Sequence, residues 1–193
     1  MRLGKEKPFG PINLIEGSLG YHMPDPTHWR LDKAKGGGGA IMDLGVYPIQ
    51  AARYITGEEP LSVTAQGVIR DKKRFKDIYE SISWQFRFPS GAMSNHTTTY
   101  SSYTDHLRVG CYQGWFGLKP AFGAGRLNGY KMNEPLDFPE VNQQALHMDD
   151  FAQSIQDNKP VKVGGEEGLQ DIRIVQAILK AADTGREVMI KGE

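Results

Sequence analysis

The stretch Ser81-Ile82-Ser83-Trp84-Gln85-Phe86-Arg87-Phe88 sets Ile82, Trp84, Phe86 and Phe88 at every second position. Side chains of a strand alternate between its two faces, so these four large apolar groups share one face. Pro89-Ser90-Gly91 supplies a turn, and residues 92–100 form a partner strand carrying Ser94, Asn95, His96, Thr97, Thr98 and Thr99. A strand this polar is unsuited to burial on both sides. The chain is therefore expected to build a sheet that is covered on one face and open on the other.

The rest of the pattern fits that frame. Residues 12–21 read as a strand introduced by Gly10 and Pro11, and shorter strands are expected over 107–112 and around Trp115 and Phe116. A helix follows from Ala40, with Ile41, Leu44, Tyr47, Ala51, Ala52 and Ile55 on one face and Gly57 as its stop. Pro48 lies inside it and should bend the axis by removing a bond to Leu44. Two more helices are expected: 142–157, with a stripe of Met148, Phe151, Ala152 and Ile155, and 166–184, with Leu169, Ile172, Val175 and Leu179. Leu3-Gly4 reads as the end of a helix with its glycine stop. Strands clustered between helices predict an α+β domain, a single one over 1–193, whose open, largely antiparallel sheet carries helices on one face.

Charge narrows the function. The 23 Lys and Arg balance the 23 Asp and Glu, which removes the general attraction to phosphate that nucleic-acid binders use. No apolar run is long enough to span a bilayer, and residues 1–7 are charged with no apolar run behind them. A cytoplasmic protein with a small-molecule ligand is expected; any signal peptide would lie upstream. Cys111 is the only cysteine, so no intrachain disulfide forms, and its strand setting suits a small core residue.

Chemistry concentrates in Gly36-Gly-Gly-Gly-Ala-Ile-Met-Asp43-Leu-Gly45-Val-Tyr47-Pro48. In one continuous helix, Asp43 and Tyr47 are four apart and share a face, with Gly45 leaving room between them. A carboxylate and a phenol beside a glycine-lined approach suit alcohol or carbonyl chemistry, one group binding a hydroxyl and the other moving its proton. The alternative is that Tyr47 fills the core and Asp43 caps a turn. Likewise, by residue type alone, Trp29 is a core filler and Arg30 a surface charge. His22, Asp25 and His28 sit in a proline-broken loop that does not fix a metal-binding geometry.

Taken together, Trp29-Arg30, the glycine run, Asp43-Leu-Gly-Val-Tyr47-Pro-Ile, Arg53-Tyr-Ile-Thr-Gly-Glu-Glu-Pro60, Met148-Asp-Asp-Phe151-Ala, Gly165-Glu-Glu-Gly168-Leu-Gln-Asp-Ile and Gly185-Arg-Glu-Val resemble the C-terminal domain of the Gfo/Idh/MocA oxidoreductases. The glucose-fructose oxidoreductase branch is the nearest in pattern. The resemblance implies a substrate-side domain of an NAD(P)-dependent sugar or polyol oxidoreductase, with a Rossmann domain holding NAD or NADP in the full-length protein. It implies Asp43 and Tyr47 as catalytic residues, Tyr47 exchanging the proton of the substrate oxygen and Asp43 orienting substrate or partner, and Trp29 and Arg30 as cofactor contacts. It also implies self-association through the open sheet face.

No glycine-rich phosphate loop follows a strand here, Gly123-Ala-Gly125 lacking its third glycine, so this chain alone is expected to hold no dinucleotide tightly and to be catalytically silent. Glu6-Lys7-Pro8 spells the family's Glu-Lys-Pro motif, but directly before the first strand rather than in a nucleotide-binding domain. The competing expectation is a non-catalytic dimerisation or carbohydrate-binding module. The loops around Tyr103 to Arg126 are where substrate preference is expected to be set.

Overall fold

The computed structural model describes residues 2–123, 125 and 127–190; Ala124 and Arg126, in the loop region expected to set preference, lie outside them. Among the described residues, one sheet contains β1 (Ile12–Gly20), β2 (Ser62–Val68), β3 (Ser81–Arg87), β4 (Met93–Thr99), β5 (Thr104–Cys111), β6 (Gly114–Leu118), β7 (Gly129–Lys131), β8 (Glu134–Leu136) and β9 (Val188–Met189). Their order is β8-β7-β6-β5-β1-β4-β3-β2-β9. Neighbours are antiparallel except β1 and β4, which run parallel from Leu14 opposite Met93 to Gly20 opposite Thr99. This is the open, largely antiparallel α+β sheet that the alternation in β3 demanded.

Helices cover one face. Ile82, Trp84 and Phe86 of β3, with Ile15, Val63 and Val109, pack against Ile49, Ala52 and Ile55 of α4 (Val46–Thr56) and Ile174, Val175, Ile178 and Ala181 of α6 (Gly165–Thr184). The buried stripe of α6 is thus rotated from the expected one, leaving Leu169 half-exposed. The reason is an ion pair. Asp171 is buried on that stripe and meets the buried Arg53 of α4, Nη1 to Oδ1 2.9 Å, so a purely apolar count misplaces the face.

Gly4 is not a stop. It lies inside α1 (Arg2–Glu6), where an added Cβ would sit 2.4 Å from the carbonyl oxygen of Ile55, so its bareness lets α1 cross the C-terminal end of α4. The helix instead ends at Lys7, which adopts a left-handed φ of 48° and donates its N–H to the carbonyl of Leu3. Lys7 therefore belongs to the turn that closes α1, a helix whose Gly4 meets α4 at Ile55, two helical turns from Tyr47.

The polar strand is polar on both faces. Asn95 and Thr97 of β4 face outward, accepting from Gln85 Nε2 at 2.7 Å and pairing with Ser83 Oγ at 2.8 Å, while Ser94, His96 and Thr98 are buried under the helices. The His96 ring lies against Trp84 and Phe86, with centroids 5.4 and 5.9 Å away, and against Gly17, where an added Cβ would come within 3.0 Å of Nδ1. Burial pushes its pKa down to about 3, opposed only by a backbone group of Gly17. The folded chain therefore refuses a proton that the unfolded chain accepts near pH 6.5. This contribution to stability is complete at neutral pH and drains as pH falls from about 6.5 toward 3, at roughly 1.4 kcal/mol per pH unit. Urea unfolding should show a loss of about 2 kcal/mol between pH 7 and pH 5, and His96→Phe should flatten that slope. Identical slopes in the two proteins would assign the pH dependence to other groups.

Candidate active site

The region leading into α4 is built from three short helices. The 3₁₀ turn Trp29–Leu31 is capped by His28, whose Nδ1 accepts from Arg30 N–H at 3.3 Å. Asp25, in the same loop, is engaged by Thr27, whose N–H and Oγ1 both donate to Oδ1 at 2.7 Å. Next come α2 (Lys33–Gly36) and α3 (Ala40–Asp43), joined by the glycine run. Gly37 and Gly39 take φ of 76° and 68°, which side chains disfavour. A Cβ on Gly36 would sit 2.7 Å from Cα of Arg30, and one on Gly39 2.5 Å from Cδ1 of Ile78. What approaches these glycines is the chain itself. The chain folds so that Gly36, the last residue of α2, abuts Arg30, and Gly39 abuts Ile78.

That folding brings Arg30 to Asp43. Nε of Arg30 lies 2.9 Å from Oδ1 of Asp43, while Tyr100 Oη donates to Oδ2 at 3.0 Å and Tyr21 Oη reaches the same oxygen at 3.5 Å. Burial and then the Asp43 charge raise the pKa of both phenols, so each stays protonated and donates. Both oxygens of the Asp43 carboxyl group are already engaged. Its chemistry is to hold Arg30, whose guanidinium stacks over the Trp29 ring at 4.5 Å from the centroid and remains about a third exposed at 34%. Trp29 is half-exposed and stacked on His28, with ring centroids 5.8 Å apart, so it is not a core filler.

Tyr47 does not share a helix with Asp43. The expected single helix breaks at Leu44 and Gly45, and Tyr47 stands in the first turn of α4. A Cβ on Gly45 would lie 2.4 Å from the carbonyl oxygen of Ile41, so this glycine permits the tight join rather than clearing space between side chains. Pro48 then occupies the opening turn of α4, where a missing N–H interrupts nothing, and the axis is broken ahead of it rather than bent at it. Among the described contacts, Asp43 and Tyr47 do not touch. Tyr47 is 48% exposed, with the Phe122 ring 6.5 Å away.

Phe122 owes its place to Asp105, a residue the sequence reading passed over. The Asp105 carboxylate accepts from the N–H groups of Ala121, Phe122 and Gly123 at 2.7, 2.8 and 3.1 Å. The Gly123 turn thus cradles an anion, but the anion is the protein's own side chain. Tyr21 and Tyr100 were also passed over. They follow β1 and β4, whose parallel ends lie side by side at Gly20 and Thr99, and nothing local in either stretch announces that pairing.

On the opposite face of the sheet, a shallow concavity of about 590 Å³ is lined by Glu16, Ser18, Thr64, Gln66, Gln85 and Asn95, among others. No described helix is long and apolar enough to cross a membrane, and no group of three or more His, Cys, Asp or Glu among the described residues is placed to hold a metal ion.

Residues 124–190 match the oxidoreductase family, C-terminal alpha/beta domain, and residues 2–116 match the GFO/IDH/MocA C-terminal domain. The chain belongs to the GFO/IDH/MocA family, over its C-terminal domain. It is 28% identical over 175 residues to D-xylose 1-dehydrogenase [NADP(+)] of Haloarcula marismortui, covering 87% of this chain and 48% of that protein. It is 24% identical over 184 residues to inositol 2-dehydrogenase of Rhizobium meliloti, covering 86% and 54%. Its fold superposes on the aldose-aldose oxidoreductase of Caulobacter crescentus, complexed with glycerol, with a TM-score of 0.91 and 35% identity over 97% of this chain and 58% of that one. The chain thus spans about half the length of the curated relatives it matches.

Proposed function

We propose that this chain is the substrate-side domain of an NAD(P)-dependent oxidoreductase that acts on the CH–OH groups of a sugar or polyol. The observation that carries the proposal is the half-exposed Tyr47 on the first turn of α4, next in the chain to the Asp43–Arg30 pair. The printed activities of the relatives, on xylose, inositol and aldoses, support the substrate class.

The chemistry divides accordingly. A nicotinamide, when bound, supplies the hydride acceptor or donor. Tyr47 as phenol gives its proton to the carbonyl oxygen during reduction and as phenolate takes the hydroxyl proton during oxidation, exchanging that proton with solvent at its half-exposed position between turnovers. Asp43 holds Arg30 in place, an orienting role. Arg30 and the Trp29 ring offer a cation and an aromatic face to one end of the cofactor, the guanidinium suiting a phosphate or carboxamide oxygen. The described residues fit that end alone: no glycine-rich cradle for a pyrophosphate follows a strand, and the amides of the Gly123 turn are occupied by Asp105. A separate nucleotide-binding domain is therefore part of the proposal, and the isolated chain should be inactive.

The open sheet face is proposed to mediate self-association. Its hydroxyl and amide ladder, Ser83 with Thr97 and Gln85 with Asn95, also fits a carbohydrate-binding module, the second reading. The test is a fusion of this chain to the part of the Caulobacter crescentus enzyme that the match leaves uncovered. Nicotinamide-dependent turnover of aldoses or polyols by the fusion, with none by the chain alone, is expected. Sugar binding without turnover in the fusion would favour the module.

A further inference from the structure

Tyr47 has a neighbour that the proton chemistry does not use. The first turn of α4 lies over β1, where a Cβ on Gly17 would meet Pro48 Cβ at 3.4 Å. β5 runs beside β1, with Leu107 opposite Gly17 and Asp105 opposite Leu19. Alternation puts Asp105 on the same face as the buried Leu107 and Val109, the face that carries α4. β6 then brings Leu118 back opposite Leu107 and leaves the sheet. Residues 121–123 therefore turn over Asp105, whose Oδ1 accepts from the N–H groups of Ala121 and Phe122 and whose Oδ2 accepts from Gly123 N–H.

A carboxylate engaging three successive amides fixes the peptides between them, and its charge strengthens each bond. Phe122 is thus placed by its own backbone. Partly buried, it packs on the edge of the main core. Its ring stands 6.5 Å from that of Tyr47, centroid to centroid, with the planes tilted by 48°. The pair sets a wholly apolar face beside a half-exposed phenol.

A sugar offers the complementary pair. Its hydroxyls need polar partners, while its C–H hydrogens, made positive by neighbouring oxygens, settle on the negative face of an aromatic ring. A closed sugar ring holds several such hydrogens on one side. An open-chain polyol must freeze its rotors to present them, at a cost in entropy.

We propose that Phe122 is a specificity-determining residue, the wall that selects closed-ring sugars over open-chain polyols, and that Asp105 is the positioning residue that holds it beside Tyr47. The assignment rests on the reading of Tyr47 given above. It also locates, on the described residues 121–123, the part of the loop region that governs substrate preference.

The test compares D-xylose with xylitol, a closed ring and an open chain of equal carbon number, in the fusion to the uncovered part of the Caulobacter crescentus enzyme. Phe122→Ala should lower the xylose-to-xylitol ratio of kcat/KM by about 5–10-fold, mostly through KM for xylose. Phe122→Leu keeps the packing on the core and loses the ring face, and it serves in place of the alanine variant if that variant does not fold. Asp105→Ala should lower the ratio as far. Asp105→Asn should lower it less, because one carbonyl oxygen remains to accept while the amide group opposes an N–H. A merely structural Asp105 would reduce turnover of both substrates alike and leave the ratio where it was. Saturation-transfer NMR supplies a second readout: with reduced cofactor present, irradiating the protein's aromatic protons should label the C–H protons of xylose more than those of xylitol, and Phe122→Ala should remove at least half of that difference. An unchanged ratio in the Phe122 or Asp105 variants overturns the proposal, as does transfer that the loss of Phe122 does not alter. Transfer that depends on Phe122 in a fusion that turns over neither substrate would keep the wall and refute the catalytic reading; turnover with an unaltered ratio would do the reverse.

Discussion

Replacing Arg53 by methionine is expected to destabilise the folded chain by about 3–5 kcal/mol, read as a shift in the urea unfolding free energy at neutral pH. The guanidinium is 5% exposed and meets three carboxylates: Glu59 at 2.7 Å, Asp171 at 2.9 Å and Glu167 at 3.0 Å. Glu59 and Glu167 are substantially solvated, so water screens their share. Asp171 is not, its side chain being 4% exposed. Burial raises its carboxyl pKa, with Gln50 Nε2, 2.6 Å from Oδ2, and Arg53 opposing the rise. Without Arg53 that carboxylate is left buried with only Gln50 for support. Removing both charges, as Arg53→Met with Asp171→Leu, should recover most of the loss, because desolvation is what the single variant exposes. A loss below about 1 kcal/mol in the single variant would show that the cluster behaves as a surface ion pair.

Tyr47→Phe carries the largest expected effect on activity. In the fusion with a nucleotide-binding domain, kcat should fall by about 10²–10⁴-fold, the usual size of general acid–base assistance, with KM moving little. Because the Tyr47 hydroxyl is at a half-exposed position and makes no hydrogen bond among the described residues, the unfolding free energy should stay within about 0.5 kcal/mol. Asp43→Asn should behave differently. It weakens the hold on Arg30, so KM for the cofactor should rise along with any fall in kcat. Equal turnover by wild type and Tyr47→Phe would remove Tyr47 from the proton-transfer step.

Much of this fold was legible because strand alternation is a strong signal. Ile82, Trp84, Phe86 and Phe88 named their buried face correctly, and the glycines and prolines bounding β1, β3 and α4 marked real ends. The failures share a cause: tertiary partners that local pattern does not contain. His96, Ser94 and Thr98 are buried although polar, because α3 packs against β4 and α4 against the adjoining β1. The α6 stripe was misplaced by the buried Asp171, a residue that any hydropathy count assigns to solvent.

The site was legible as a list of residues more than as a geometry. Asp43, Arg30 and Trp29 come together, but through a glycine run that folds the chain on itself, with Asp43 ending one helix and Tyr47 opening the next. Tyr21 and Tyr100 complete the Asp43 environment from strand ends that meet only because β1 and β4 are parallel. The apolar stripe on α5 (Gln143–Gln156) lies where the spacing places it, and nothing among the described residues buries it.

The most direct test follows hydride rather than absorbance. Aldoses and polyols deuterated at the carbinol carbon that is oxidised, D-xylose labelled at C1 first, are incubated with the fusion and oxidised nicotinamide cofactor, and the reduced cofactor is analysed by mass spectrometry. Deuterium should appear in the nicotinamide with the fusion and not with the 193-residue chain alone, and Tyr47→Phe should slow its appearance. If a folded fusion whose nucleotide-binding part demonstrably binds the cofactor transfers no label from any aldose or polyol, the chain is not the substrate-side half of a sugar oxidoreductase, and the polar sheet face becomes the place to look for its function.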